Sequence, residues 1–383
     1  MIGDGVESGY LSPYLLGRGI SAPEVAAIFT VYGVAAAVAA WFSGALSDLW
    51  GPRRVMWAGL AIWGVFEVLF LFTLGSPHGY WTILGAYALR GFGYPLFAFG
   101  FLVWITAATP AHRLGTAVGW FWFAFTGGLP TLGSLLASFT VPLIGAYQTL
   151  WISLGLVLLG GLIALTGTRE PTGFHRLAPE GDNPLKTVLS SVTIAFKVPK
   201  TAAGCVVRII NTAPQFGFLV FLPTFFTQTV GFSLPAWLRL LSAIFVSNIV
   251  WNLLFGVIGD RLGWRRTVAL CGGVGSAVTT LLLYYTPAVF GANYTLCLIA
   301  GAMYGATLAG YVPLSALMPS LAPDRRGAAM SMLNLGAGAS VWVGPAIAGV
   351  FLPVIGVAGV MWIFAVLYLI SAALALTLRL PSE

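Results

Sequence analysis

The sequence predicts an all-α membrane protein: twelve transmembrane helices in two pseudo-symmetric six-helix bundles. Three observations predict it: a composition too apolar for a water-facing surface, twelve separate apolar runs, and an internal repeat at one fixed offset. Hydrophobic residues make up 58% of the 383 and charged residues only 8%, and mean hydropathy is +0.93. A soluble domain is about 25% charged. Such a pool excludes a water-soluble enzyme, a nucleic-acid binder and a disordered chain. The net charge of +7 is therefore read as a topology signal and not as affinity for an anionic partner.

A membrane-crossing helix needs about 20 apolar residues. Apolar runs occupy 1–16, 22–46, 54–75, 79–108, 112–140, 146–168, 200–229, 235–258, 266–286, 291–318, 325–351 and 355–379. Only helices and closed barrels satisfy backbone groups in lipid, and these runs are too long and too uniformly apolar for barrel strands. With the first span running outward, fourteen Arg and Lys residues, from Arg53 to Arg379, fall on one side, and only Arg18 and Arg239 fall on the other. That asymmetry predicts that both termini are cytoplasmic.

The longest polar stretch, 169–199, is expected to be a cytoplasmic central loop between bundles at 1–168 and 200–383. The halves repeat. SGALSDLWGPRR around Asp48 matches FGVIGDRLGWRR around Asp260, and at the same offset of 212 Arg113 meets Arg325. Two anchors at one offset point to duplication. Matching Pro13 to Pro223 would start the first span before Met1, so the first helix is expected to be N-truncated. Nothing at the N-terminus resembles a cleavable signal.

The three cysteines, Cys205, Cys271 and Cys297, sit in apolar stretches without ligand-like spacing and read as buried thiols. No cofactor or metal is expected. No G-x-x-x-x-G-K-[ST] loop, H-E-x-x-H or G-x-S-x-G occurs. The chain is therefore not expected to be an enzyme, and any transport would draw on a gradient.

GALSDLWGPRR resembles the G-x-L-[SA]-D-x-x-G-x-[RK]-[RK] loop motif of the major facilitator superfamily, and GVIGDRLGWRR is its weaker twin. YALRGFGYP, with Arg90, is similar to that superfamily's fourth-span R-x-x-x-G pattern, with the glycine one residue early at Gly93. GDGVESGYLSPYL at 3–15, LRGFGYPLFAFGFLVW at 89–104 and NTAPQFGFLVFLPTFF at 211–226 resemble the ribitol/D-arabinitol permease family. That is a bacterial group of pentitol–proton symporters with a branch assigned to 2-oxoglutarate. The resemblance implies a multi-pass protein of the bacterial inner membrane. It further implies that Asp48, Arg53 and Arg54, and in the second copy Asp260, Arg265 and Arg266, form a cytoplasmic gate latch. A solvated turn is the alternative.

A charge at mid-bilayer costs several kcal/mol unless paired or facing water. Asp4, Glu7, Glu67, Arg90 and Arg208 each need an account. Asp4 and Glu7 share a helix face. In related sugar porters a first-span acid pairs with the fourth-span Arg and releases it on protonation. The resemblance thus implies a coupling role for Asp4, Glu7 and Arg90, with a static ion pair as the alternative. Glu67 lies on a span expected to be peripheral.

Arg208, Asn211 and Gln215 fall at i, i+3 and i+7 of the seventh span, and Asn248 and Asn252 at i and i+4 of the eighth. Carboxamides donate and accept hydrogen bonds, as a polyol requires. With Tyr94, Trp122 and Asn334 they are candidate substrate contacts, and Trp120, Trp251, Tyr304 and Tyr311 are further possible walls. Interhelical bonding and interfacial packing are the alternatives. The expected activity is proton-coupled uptake of a small sugar alcohol by a monomer embedded in lipid. A carboxylate permease anchored on Arg90 and Arg208, a drug-type exporter, and a non-transporting receptor are the rivals.

Overall fold

The computed structural model describes residues 1–75, 79–110, 114–178, 181, 186, 193–322 and 326–379. Arg113 and Arg325, the second pair of repeat anchors, lie outside these residues. Ten segments are long and apolar enough to cross a membrane: Ala22–Trp50, Pro52–Gly75, Tyr80–Ala108, Trp120–Ile144, Ala146–Gly167, Pro199–Thr229, Leu234–Leu262, Trp264–Phe290, Tyr294–Ser320 and Ser331–Thr377. The last is two helices, broken where Gly356 adopts φ 66 and ψ −175. Ahead of them, Ile2–Gly5 and Leu11–Gly17 form a short interrupted rod. The described rods thus number twelve, counted here as spans one to twelve in chain order, and no strand occurs among the described residues.

The duplication shows in the backbone. Gly19 and Gly231 have φ of 88 and 91. Ser21 and Ser233, two residues on, are both extended N-caps with proline in the first turn. Gly51 ends the second span at φ 89, ψ 132, and Gly263 ends the eighth at φ 89, ψ 131. All three pairs are 212 residues apart. Positive φ is nearly free only for glycine, which is why Asp-x-x-Gly recurs at this turn. Glu24 completes a capping box by accepting from the Ser21 backbone N–H at 2.9 Å.

The two halves meet through small residues and aromatic donors. A Cβ at Gly33 would lie 2.7 Å from the Val341 carbonyl, and one at Gly338 would lie 3.2 Å from Ala37. With Ala26 against Gly349, this is an antiparallel seam between spans two and eleven. Among the described residues three hydrogen bonds also cross. Ser12 donates to the Val220 carbonyl, Trp237 Nε1 to Gly9 O at 2.9 Å, and Ser242 Oγ to Thr131 O at 3.0 Å. All lie from mid-depth toward the end carrying Gly19 and Gly231. Cys205, Cys271 and Cys297 are free thiols.

The seam yields a test. Gly33→Leu forces side-chain volume into backbone, and overpacking costs about 1–3 kcal/mol. The variant should melt several degrees lower in detergent. Gly85→Ala, with nothing within 4 Å of its added methyl, should melt with the wild type.

Candidate functional site

The fourth span is a helix at Tyr80–Arg90, a turn, and a second helix from Gly93. A Cβ at Gly93 would sit 2.5 Å from Trp63 Cβ, and one at Gly59 would sit 2.7 Å from Phe97 N. These glycines let spans three and four approach closely, which carries Trp63 and Glu67 to Arg90. The face of the third span that carries Glu67 is packed inward: Glu67 and Arg90 are both 0% exposed.

Three carboxylates converge on the one guanidinium. Arg90 Nη2 is 2.9 Å from Asp4 Oδ1, Nη1 is 2.7 Å from Glu7 Oε1, and Nη1 is 3.1 Å from Glu67 Oε2. Trp63 Nε1 donates to Asp4 Oδ1 at 2.6 Å, and the Tyr87 hydroxyl to Glu7 Oε1 at 2.8 Å. The guanidinium carbon stands 4.7 Å from the Trp63 ring, 5.0 Å from Tyr87 and 5.7 Å from Tyr32. Charge-assisted hydrogen bonds and an aromatic cage are what a buried cation requires.

Asp4 and Glu7 line a narrow cleft between the halves. Across it stand Gln215, Phe216 and Leu219 of the seventh span, and Val341 and Pro345 of the eleventh. Glu67 is not on that lining. Tyr94 joins the cleft to an apolar cavity of about 360 Å³ inside the first half, floored by Asp4 and Trp63 and walled by Phe97, Phe101 and Trp120.

The other candidates separate. Arg208 is partly exposed on the seventh span, and no acidic side chain pairs with it among the described residues. Asn211 is turned into the second half, 5% exposed; its backbone carbonyl accepts from Tyr368 at 3.0 Å, and its Oδ1 is buried without a hydrogen-bond partner. Asn248 donates to Gly305 O at 3.1 Å and accepts from Asn252 at 3.2 Å, which is the interhelical alternative. Trp122 packs with Phe99, Phe121 and Phe125 and is 43% exposed, as interfacial packing predicts. Asn334 is exposed. Tyr304 bonds to Tyr368 at 2.9 Å and Tyr311 to Ser371 at 2.8 Å, so both are core rather than cleft wall.

Among the described residues, the contacts of the first-copy gate residues fall within the first half and the start of the central loop. Arg53 donates to the Leu165 carbonyl, through Nε at 3.1 Å and again through Nη2. It thereby caps the sixth span, whose C-terminal dipole favours a cation. Its guanidinium sits 5.2 Å from the Trp104 ring and 4.5 Å from Phe174. Arg54 is exposed, and the Asp48 carbonyl accepts from Leu177 and Ala178 at 2.9 and 3.1 Å. Asp260 accepts from Trp264 at 2.8 Å, Arg265 is half-buried and Arg266 exposed. The connection 323–325 lies outside the described residues.

Residues 169–178 thus strap onto the first half. Glu170 accepts from Thr172 and from Trp104 Nε1. Burial pushes its carboxyl up, but these hydrogen bonds and the Gly173 N–H outweigh burial and hold it below the usual range. A depressed carboxylate stabilises the fold above its unfolded value and loses that contribution as pH falls through the folded one.

Sequence reasoning did not assign a site role to Glu67, Trp63 or Tyr87. The available signal was helical spacing: Trp63 and Glu67 are i, i+4, and Tyr87 and Arg90 are i, i+3.

The profile of the Major Facilitator Superfamily matches residues 5–263 and 205–383, and the chain belongs to that superfamily. It is a secondary transporter of that type with a multi-pass membrane fold. It is 46% identical over 384 residues to an alpha-ketoglutarate permease of Bacillus subtilis (strain 168), covering 100% of this chain and 87% of that one. It is 38% identical over 381 residues to a D-arabinitol transporter of Klebsiella pneumoniae, covering 99% and 89%. A mutant of the nucleoside transporter NupG superposes with a TM-score of 0.76 at 15% identity, over 98% of this chain and 97% of that one. That likeness concerns the fold alone.

The strap is testable by limited proteolysis. In Glu170→Gln at pH 7, trypsin should cut at Arg169 and Arg176 faster than in the wild type. Equal cleavage rates would show that Glu170 does not hold the strap.

Proposed function

We propose that the chain is a proton-coupled importer that moves a small hydrophilic solute by alternating access, its two halves (1–168 and 200–383, joined by 169–199) rocking about the cleft. The observation that carries this reading is the cleft-facing pair Asp4 and Glu7 on a single buried Arg90. Fully ionised, three carboxylates and one guanidinium leave two uncompensated negative charges in the membrane. Adding protons costs less than burying those charges.

The geometry divides the labour. Glu67 is out of the cleft and keeps Arg90 neutralised whatever happens on the other side. Asp4 and Glu7 meet cleft water and exchange protons. Protonating Glu7 weakens its hold on Arg90, loosens the first span against the fourth and biases the halves toward opening. The Arg and Lys asymmetry supports a cytoplasmic position for the Gly51 and Gly263 end, in a bacterial inner membrane. Because the halves are joined from mid-depth to the other end, this conformation faces inward.

A pentitol such as ribitol or D-arabinitol is supported by the Gln215 carboxamide in the cleft and by the D-arabinitol relative. A carboxylate is supported by the alpha-ketoglutarate relative, which is the more similar of the two. The protein is expected to act as a monomer.

In proteoliposomes with an imposed pH gradient, Glu7→Gln and Asp4→Asn should lose accumulation at least tenfold, and solute exchange without a gradient should fall less. Accumulation that keeps its full gradient dependence in both variants overturns the coupling assignment. Glu67→Gln should instead depress accumulation and exchange together.

A further inference from the structure

We propose that Arg208, with Asn334 and Trp41, forms an anion subsite on the inner part of the cleft and that the transported solute carries a carboxylate. The inference rests on the transport reading above and deepens it.

The seventh-span wall is continuous. Gln215, Phe216 and Leu219 line the cleft. Arg208 and Thr212 extend the same stripe at helical spacing, and both are partly exposed. Arg208 stands seven residues from Gln215, about 10 Å along the axis, toward the end carrying Gly51 and Gly263. On the eleventh span Val341 and Pro345 line the cleft, and Asn334, exposed, is seven residues before Val341. The two stripes are in step. Thr212 Oγ1 bonds Ser340 Oγ at 2.7 Å, and a Cβ at Gly336 would lie 3.0 Å from Arg208 Cβ. Arg208 and Asn334 are therefore neighbours on one wall.

The facing residue comes from the antiparallel seam. Gly33 meets Val341 and Trp342, Ala37 meets Gly338, and Ala26 meets Gly349. That register sets Trp41 opposite Asn334. The indole Nε1 of Trp41 is buried with no hydrogen-bond partner. The layer thus holds a guanidinium, a carboxamide and an orphaned N–H. Asp48, two helical turns beyond Trp41, is the nearest acid along that span.

Arg90 cannot serve the same end. Its guanidinium is enclosed by three carboxylates and three aromatic rings, and it is 0% exposed. Arg208 is unpaired among the described acids and partly exposed. A planar fork of donors fits a carboxylate bidentately. Gln215, about 10 Å away, would take the carbonyl, hydroxyl or second carboxylate at the other end of a short chain. A solute that bridges Arg208 and Gln215 also spans toward Asp4 and Glu7, which links its binding to the proton site. An anion symported with protons limits the charge moved inward.

The test is binding of labelled α-ketoglutarate to the purified protein, with unlabelled D-arabinitol and short mono- and dicarboxylates as competitors. The expected result is displacement by carboxylates and none by D-arabinitol. Affinity should fall at least tenfold in Arg208→Gln and recover in part in Arg208→Lys. Trp41→Phe and Asn334→Ala should each lose a few-fold, with melting temperature unchanged for Asn334→Ala. Unchanged affinity in Arg208→Gln overturns the subsite. Gradient-driven uptake of D-arabinitol by the wild type, with no α-ketoglutarate binding, overturns the carboxylate assignment and leaves the transport reading standing. Failure of every solute to move under any pH gradient overturns the transport reading itself.

Discussion

One guanidinium, sealed in the first half and held by three carboxylates, sets the terms for the structure around it. A charge in the membrane interior costs several kcal/mol unless it is compensated, and Arg90 has no water to turn to. Its surroundings answer that cost at each level. Gly93 and Gly59 bring a neighbouring helix close enough to deliver Glu67 and Trp63. The first span supplies Asp4 and Glu7 on one face. Tyr87 and Trp63 then spend their polar hydrogens on those acids. Three acids surround the one cation, and two of them, Asp4 and Glu7, line the cleft.

The second half repeats the backbone without repeating this chemistry. Its turns at Gly231, Ser233 and Gly263 copy those at Gly19, Ser21 and Gly51. Its interior is instead tied by neutral hydroxyls: Tyr304, Tyr368, Tyr311 and Ser371, with the Asn211 carbonyl. Duplication has preserved what the chain's path requires and released what the interior can vary. The acidic pair Asp4 and Glu7 therefore sits on one wall of the cleft, with Gln215 on the other.

The Asp-x-x-Gly-x-Arg-Arg loop shows how a motif can be legible while its contacts are not. Arg53 caps the sixth span and stacks against Trp104 of its own half and Phe174 of the strap. The strap that begins at Glu170 closes over the same turn, where a Cβ at Gly51 would lie 2.8 Å from Phe174 backbone. Among the described residues, this loop finds its partners locally.

Much of this was readable in one dimension. Hydropathy specifies membrane spans because backbone groups in lipid must be bonded within a helix, and the offset of 212 marks the repeat because identical turns need identical residues. Helical spacing placed Asp4 beside Glu7 and Arg208 in line with Gln215. The limit came where one helix meets another. Asn211 shares that spacing, yet a modest rotation turns it into the core. Asn248 and Tyr311 look like cleft residues until packing supplies their partners. Glu67 looked remote until two glycines brought its helix inward. Periodicity tells which residues share a face. Which face meets which, and at what register, depends on close contacts between distant segments, and only the folded arrangement decides it.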